Sequence, residues 1–488
     1  MSDPGAPPAR QLAQRTADSS YEFVEGWGMT SGAHSRVLRP RSVEEVARCL
    51  EAARREGLRL GLRGTGNSYG DASVNGRGHV LDISRLDRIL SFDRESGIVE
   101  AQAGVTIQQL WRTILPHGWW PRVVSGTMFP TLAGAAAMNI HGKNNYAVGT
   151  IGDAIVAFDV MLPSGELRTC SRAQNSDLFH AAIGGLGMLG VFTRIVLHTK
   201  RVHSGDLEVK AICTRNLREM LEHIEAHRAV ADYLVGWIDC FAGGDRAGRG
   251  LIHQARYLDE GEDLHPELTL RAEHQELPAN ILGVLPKSEV WRALGLFNNH
   301  LGMRTVNAFK WMAGHFEDHK GPFRQSHAAF AFLLDYVPNW KWAYGREPIA
   351  MGLIQYQPFL PAAVAHDVAL EILERCRHAR LVPYLGVVKR HRPDPFWLTH
   401  ALDGWSFALD FKVTPQTRAK LWKHCAELTE LVLQAEGRFY FAKDLVLGAH
   451  DLERFVPADR LAAFRALKRE LDPNLTLATD LSRRVLGW

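Results

Sequence analysis

The sequence predicts a protein of two domains that mixes α-helices and β-strands. Its 488 residues exceed the size at which one hydrophobic core usually stops growing. Signals for strands and helices alternate through residues 21–203, which is typical of an α/β or an α+β fold. From about residue 204 the pattern changes, and we expect a second domain to begin there.

Two capping signals predict helices in the first region. Ser42 and Glu45 form a capping box, and apolar residues then recur at helical spacing until Gly57. Thr106 and Gln109 give the same signal for a second helix. Short apolar or alternating runs predict strands at 58–62, 80–83 and 99–103. Further helical stripes follow at Val364 to Cys376, Leu421 to Val432 and Leu461 to Leu471, the last ended by Asp472-Pro473.

A glycine-rich stretch at 63–71 follows the predicted strand 58–62. It contains Gly64, Gly66 and Gly70, so its backbone can turn sharply and present consecutive N–H groups to an anion. A bound phosphate is the functional interpretation. An ordinary glycine-rich turn after a strand explains the same residues.

A second glycine-rich stretch lies between residues 125 and 152. Short side chains separate its glycines, so the backbone can approach a large flat ligand; the alternative is a tight packing segment between two layers. His141, taken alone, is more typical of a core histidine than of a catalytic one. The glycines are Gly126, Gly134, Gly142, Gly149 and Gly152.

Residues 185–190 match the dinucleotide pattern G-x-G-x-x-G, but the surrounding signals exclude that function. The pattern requires a strand before it and a helix after it, so that the helix N-terminus faces the pyrophosphate. Here residues 176–183 are predicted to be helical and residues 191–197 alternate as a strand. We therefore expect no Rossmann site.

In the second region, polar residues within apolar runs are the candidate functional groups. Gln355 and Gln357 share one face of a predicted strand, and that face could contact either a ligand or solvent. Lys389 and Lys443 also follow apolar runs, where each is either a site residue or a surface lysine with a buried stem. Residues 243–277 are charged and weakly periodic, so we predict a mobile loop near the mouth of the site.

Composition excludes several classes of protein. The net charge is only +3 and no long basic run occurs, so composition predicts neither nucleic acid nor an anionic membrane as a partner, although it leaves room for local basic sites. The six cysteines form no C-x-x-C pair, which indicates reduced thiols and no zinc site; we expect no metal. Residues 1–20 are predicted to be a flexible leader, no apolar run reaches a membrane-spanning length, and a cytoplasmic location is expected.

Several motifs together resemble one enzyme family. They are Arg63 to Asp71, Ile140 to Asn144, Gly184 to Gly190, Gly26-Trp27-Gly28, Gln355 to Gln357, Gly404-Trp405, Ala442 to Asp444 and Asp480 to Arg484. In this order they resemble the vanillyl-alcohol oxidase / p-cresol methylhydroxylase family of FAD-linked oxidoreductases, in particular its sugar and aldonolactone oxidases. The resemblance implies a two-domain α+β fold, with an FAD-binding domain at 21–203 plus 435–488. It also implies a substrate domain at 204–434, built on an antiparallel sheet over the flavin.

The resemblance also implies which residues contact FAD. In several relatives a histidine tethers the flavin, but Asn67 occupies that position here, so we predict noncovalent FAD. The implied cofactor-binding residues are Arg63, Gly64, Thr65, Gly66, Asn67, Ser68, Tyr69, Gly126, Thr127, Thr131, Gly134, Asn139, Ile140, His141, Gly142, Val191 and Tyr440.

By the same resemblance, Lys443 and His141 lie at the reacting carbon. The implied substrate-binding residues are Tyr69, Lys143, Gln355, Gln357, Lys389 and Ser406. Ser406 and Ala408 stand where the family has asparagine and cysteine, which leaves the exact sugar open.

The expected reaction is hydride transfer from an alcohol carbon of a sugar-like small molecule to FAD. The alternatives are an NADPH-linked reductase of the related sterol-reductase branch and a flavin-binding protein without turnover. Oxygen, another electron acceptor or a partner reductase could reoxidise the flavin.

Overall fold

A computed structural model describes residues 18–277, 279–281, 285–345 and 350–488. Most of the predicted leader, residues 1–17, lies outside this range. The strands are β1 Asp18–Glu25, β2 Gly32–Arg39, β3 Leu60–Arg63, β4 His79–Asp82, β5 Ile89–Phe92, β6 Ile98–Gln102, β7 Trp119–Trp120, β8 Ile155–Met161, β9 Leu167–Ser171, β10 Val191–His198, β11 Lys200–Arg201, β12 Asp206–Thr214, β13 Tyr233–Ile238, β14 Gly250–Tyr257, β15 Asn280–Ile281, β16 Leu285–Pro286, β17 Phe323–Ser326, β18 Leu353–Tyr356, β19 Pro358–Pro361, β20 Leu385–His391, β21 Gly404–Lys412 and β22 Arg438–Phe439.

The α-helices alternate with these strands along the whole described chain. They are α1 Val43–Glu56, α2 Ile107–Ile114, α3 Leu132–Met138, α4 Asn145–Val148, α5 Ile151–Ala154, α6 Ser176–Ala182, α7 Leu217–His227, α8 Pro266–Thr269, α9 Val290–Phe297, α10 His300–Asp318, α11 His327–Ala331, α12 Ala365–His378, α13 Arg418–Gln434, α14 Ala449–Phe455, α15 Ala458–Leu471 and α16 Asp480–Leu486. None of the helices in the described part of the chain is long and apolar enough to cross a bilayer.

The first region contains two sheets. One has the order β1-β2-β4-β3, in which β4 runs parallel to both β2 and β3. The other has the order β5-β6-β10-β8-β9 and is antiparallel. The chain returns to the first sheet near its end, because Leu60 N donates to Thr476 O at 2.7 Å and Ala478 N donates to Leu60 O at 3.0 Å. Residues 476–478 thus pair with the strand that leads into the glycine-rich stretch.

The second region is built on one large antiparallel sheet. Its described strands follow the order β17-β12-β14-β13-β20-β21-β19-β22, and β18 also pairs with β21. Helices α12 and α13 bury apolar stripes, including Ile372 and Leu428, against this region. The mixture of helices with antiparallel sheets confirms the predicted α+β class, whereas the domain boundaries at 204 and 435 remain predictions.

Local signals predicted several elements correctly. Helix α1 begins after Ser42, whose hydroxyl accepts a hydrogen bond from Glu45 N at 3.3 Å, and Thr106 and Gln109 cap α2 reciprocally. The order of α6, then the glycine run, then β10 confirms that 185–190 is no Rossmann turn. All six cysteines are free, as expected, and all but Cys213 are buried.

The predicted mobile loop at 243–277 is wrong for residues 250–257. These residues form β14, which pairs with β12 on one side and β13 on the other. The alternation of apolar and polar residues expected of a strand is weak here, because His253, Gln254 and Arg256 interrupt it. Leu251 and His253 face the internal cavity. Backbone pairing on both edges therefore places a polar sequence in the interior of the sheet.

Candidate active site

One cavity of about 390 Å³ lies between the first region and the large sheet. Its first wall is formed by side chains and backbone from within residues 62–68, 125–127 and 130–141, all in the first region. Its second wall is one face of the large sheet, where side chains alternate toward the cavity. These side chains are Val235, Trp237, Leu251, His253, Gln355, Gln357, Leu385, Val387, Lys389 and Ala408.

The glycine-rich stretch presents unused donors to this cavity. The backbone N–H groups of Thr65, Gly66, Asn67 and Ser68 make no hydrogen bond to any other residue that the structure describes. Gly66 has φ +71°, and a Cβ there would collide with the guanidinium of Arg63. Only glycine keeps this turn without strain, so the sequence provides a concave row of N–H donors suited to a phosphate.

A second segment extends the same wall. Thr131 caps α3 by accepting a hydrogen bond from Gly134 N at 3.1 Å. A side chain at Gly134 would meet nothing closer than Thr131 Oγ1, at 3.2 Å, so the wall there is bare backbone. Thr127 is fixed from the other region, because its hydroxyl donates to Asp335 Oδ1 at 2.8 Å. Such a smooth wall suits a flat aromatic ligand.

Most of the predicted cofactor-binding residues line this cavity. They are Arg63, Gly64, Thr65, Gly66, Asn67, Ser68, Gly126, Thr127, Thr131, Gly134, Ile140, His141, Val191 and Tyr440. Asn139 lies behind the wall at φ +48°, where its side chain binds Gly152 N and Asp394. Gly142 packs against Val124 O and Asn144, and Tyr69 is described below. The roles assigned to these residues remain predictions.

Lys443 brings an amine to the end of the cavity beside Tyr69. Its Nζ lies 3.8 Å from the centre of the Tyr69 ring, which is buried and packs on Trp27. Burial lowers the pKa of Lys443 well below its ordinary value, and the nearby Asp410 opposes that effect. The neutral amine is therefore accessible near neutral pH, as a general base requires.

Asp410 is a buried carboxyl group behind Gln355. The two residues are register partners on β21 and β18, and Gln355 Nε2 donates to Asp410 Oδ1 at 2.5 Å. The other oxygen, Oδ2, has no hydrogen-bond partner among the described residues. Burial raises the pKa of Asp410. Asp410 and Lys443 interact electrostatically, because Asp410 raises the pKa of Lys443 and Lys443 lowers the pKa of Asp410.

A row of hydrogen-bonded side chains, Gln357, Ser406 and His391, holds His141 in place. Gln357 Nε2 lies 3.2 Å from His141 Nε2 and 3.4 Å from Ser406 Oγ, and His391 Nε2 lies 2.7 Å from the same hydroxyl. Because an amide nitrogen only donates, we assign the His141 proton to Nδ1. Burial, with the nearby Lys389, lowers the pKa of His141, so the imidazole is neutral.

Three further lysines reach the cavity. Lys143 Nζ donates to the carbonyls of Phe330 and Ala331, and burial lowers its pKa. Burial also lowers the pKa of Lys389 to about 8. Lys310 reaches the cavity from α10, with Nζ 4.4 Å from the centre of the Trp237 ring. Among the described residues, no Asp or Glu lines this cavity.

The structure thus brings Lys443, His141, Lys143, Gln355, Gln357 and Lys389 to one cavity, with Ser406 and Tyr69 just behind its surface. Sequence reasoning missed Asp410, His391 and Lys310. Asp410 carried a usable signal, because it is a polar residue within the apolar run of β21, as Gln355 is within β18. His391 also carried a signal, because it lies two residues after Lys389 on β20, whereas Lys310 carried none.

Comparison with known proteins defines the class. Residues 34–171 match a family described as the FAD binding domain, and they include both cavity segments described above. The unused N–H donors and the smooth wall fit that cofactor, so the chain is an FAD-dependent oxidoreductase. The predicted resemblance to FAD-linked enzymes acting on CH–OH groups is confirmed.

Individual relatives extend the similarity beyond this domain. The chain is 28% identical over 477 residues to decaprenylphosphoryl-β-D-ribose oxidase of Mycolicibacterium smegmatis, which covers 94% of this chain and 96% of that protein. It is 26% identical over 211 residues to L-gulonolactone oxidase of Mus musculus, covering 43% and 47% of the two chains. It is 30% identical over 193 residues to D-arabinono-1,4-lactone oxidase of Yarrowia lipolytica, covering 38% and 36%.

Proposed function

We propose that this protein oxidises an alcohol carbon of a sugar or sugar-like substrate by hydride transfer to flavin N5, giving a ketone or a lactone. The observation that carries the proposal is the amine of Lys443, whose lowered pKa suits a base, in the same cavity as the FAD-binding segments. Similarity to oxidases whose names specify a ribose derivative and two aldonolactones supports the substrate class.

The proton path follows from the residues of this chain. FAD, when bound, supplies the two-electron acceptor that takes the hydride. Neutral Lys443 accepts the hydroxyl proton of the substrate, and the Asp410 carboxylate stabilises the ammonium that results. His141 stays neutral and donates from Nδ1, which has no partner among the described residues and is free to contact a substrate oxygen.

Substrate binding is assigned to amides and cations. The side-chain amides of Gln355 and Gln357 point to the same side of the chain and line the cavity. Buried amides need hydrogen-bond partners, and the hydroxyl groups of a sugar would supply them. Lys143, Lys389 and Lys310 add three amines, and no described Asp or Glu lines the cavity to pair with them; an anionic group on the substrate would favour their protonated forms. We therefore favour a sugar that carries an anionic group, such as a phosphate ester, over a neutral polyol.

The test is anaerobic bleaching of the protein-bound flavin. Separate cuvettes receive a prenyl-phosphoryl pentose, a free pentose, an aldonolactone and NADPH, and the wild type is compared with Lys443→Met. We expect bleaching by a sugar in the wild type and much slower bleaching in the variant. Bleaching by NADPH alone would replace the proposal with the reductase reaction. Equal rates in both proteins would remove Lys443 from the mechanism.

A further inference from the structure

Helices α9 and α10 expose an apolar surface that no described part of the chain covers. Six large side chains on it are between 47% and 79% exposed: Leu296, Phe297, Leu301, Phe309, Met312 and Phe316. The last four recur at helical spacing along one side of α10, where Leu301, Phe309 and Met312 border a shallow groove that also contains Thr305 and Ala308. A continuous apolar strip of this kind marks an interaction surface rather than scattered exposure. We call it the α9–α10 face.

The same stretch also carries cations. Apart from the buried Lys287 and the cavity-lining Lys310, residues 285–324 contain four Lys or Arg and three Asp or Glu, and Arg292 pairs with Glu289. Arg304 borders the groove, and Lys320 lies just beyond α10. Neither side chain makes an ion pair with any residue that the structure describes, whereas Asp318 is engaged by Cys213 N at 3.1 Å. The surface therefore combines exposed apolar groups with two cations, Arg304 and Lys320, that have no acidic partner among the described residues.

The α9–α10 face adjoins the active-site cavity. Lys310, on the same helix as Phe309, lines the cavity at Trp237. Leu333, also a lining residue, is 44% exposed, and the nearby Tyr336 and Trp342 are 40% and 38% exposed. Partly exposed tyrosine and tryptophan beside an apolar strip are typical of helices that lie in a bilayer interface.

We infer that the α9–α10 face docks on an anionic lipid surface. Helix α10 would lie in the plane of the interface, with Phe309, Met312 and Phe316 among the acyl chains and Arg304 and Lys320 at the headgroups. A second copy of the chain is the competing occupant. A second copy would present the same unpaired Arg304 and Lys320, whereas anionic headgroups supply the opposite charge that these two side chains lack.

The test is flotation of the full-length FAD-loaded protein with lipid vesicles. Phosphatidylcholine vesicles are compared with vesicles that also contain phosphatidylglycerol, at low and high salt. We expect binding to the anionic vesicles that weakens as salt increases. The double variant Phe309→Ser, Phe316→Ser should bind at least about tenfold more weakly, because each buried phenylalanine contributes roughly a tenfold factor or more to partitioning.

The matched control is the double variant Tyr21→Ser, Phe23→Ser on β1, whose side chains are 71% and 55% exposed. It should float like the wild type, and an unchanged flavin spectrum in both variants confirms that they fold. Equal flotation of the two variants would overturn the proposal, as would no vesicle binding by the wild type. A dimer in solution that Phe309→Ser, Phe316→Ser dissociates, without vesicle binding, would assign the face to a second copy.

Discussion

Lys443→Met is the substitution that tests the proposed chemistry most directly. Methionine keeps an unbranched side chain of similar length beside Tyr69 but removes the amine. Lys443 lies outside residues 63–68 and 125–138, the segments predicted to bind FAD, and its amine packs on Tyr69. We therefore expect the variant to fold and to retain its flavin.

The expected loss in the rate of flavin reduction follows from the role of the amine as a base. A positioned general base contributes about 10²–10⁴ to the rate, so the barrier to flavin reduction should rise by roughly 3–5 kcal/mol. The pH profile gives a second readout. Burial holds the pKa of Lys443 below its ordinary value, and only the neutral amine accepts a proton. Hence kcat/KM of the wild type should rise as pH increases through that lowered pKa, and this limb should vanish in the variant.

The assay is anaerobic stopped-flow reduction of the bound flavin across pH 5–10, roughly the range over which lysine pKa values shift in folded proteins. Lys423→Met, at an exposed position on α13, is the matched control and should leave both rate and profile unchanged. A Lys443→Met protein that reduces its flavin within about threefold of the wild-type rate, with the same pH limb, would refute the assignment.

Three further predictions concern the surrounding residues. Asp410→Asn removes the carboxylate that raises the pKa of Lys443, so the rising limb of kcat/KM should move to lower pH; an unchanged profile would show that the two groups are uncoupled. Because Asn67 Nδ2 donates to Thr65 Oγ1 at 2.8 Å and an amide forms no flavin tether, acid precipitation should release all the FAD into the supernatant, and yellow precipitate would contradict this. Lys468→Ala leaves the buried Asp472, whose Oδ2 lies 2.6 Å from Lys468 Nζ, without its cation, so the free energy of unfolding measured with denaturant should fall by about 3–5 kcal/mol. Loss of less than about 1 kcal/mol, no more than a surface ion pair contributes, would show that the pair is not needed for stability.

The elements predicted best from the sequence are those decided within a few residues. Ser42 and Thr106 fix the starts of their helices through contacts with the residue three positions later, which is visible in the sequence. The glycine run at 63–71 was interpretable for the same reason, since the left-handed turn at Gly66 depends only on local backbone geometry. These features did not require knowledge of the tertiary fold.

The functional face of the large sheet could not be predicted in this way. Alternation shows that Gln355 and Gln357 share a face, but only strand pairing decides whether it meets solvent or a cavity. That decision depends on β21, more than forty residues later in the chain, which places Asp410 opposite Gln355. The same dependence turned β14 from a predicted loop into an interior strand. Distant pairings, which no local pattern encodes, determine which polar residues become site residues.

Helix α16, the last described helix, links two distant segments of the chain beside the cavity. Arg484 donates to both oxygens of Asp71, at 3.0 and 2.8 Å, and to Asp444 Oδ2 at 2.8 Å. It therefore joins the glycine-rich stretch at 63–71 to the segment that carries Lys443. During synthesis, Asp71 and Asp444 lack this shared partner until Arg484 has been added to the chain. We therefore expect a chain truncated before Arg484 to retain less FAD than the full-length protein.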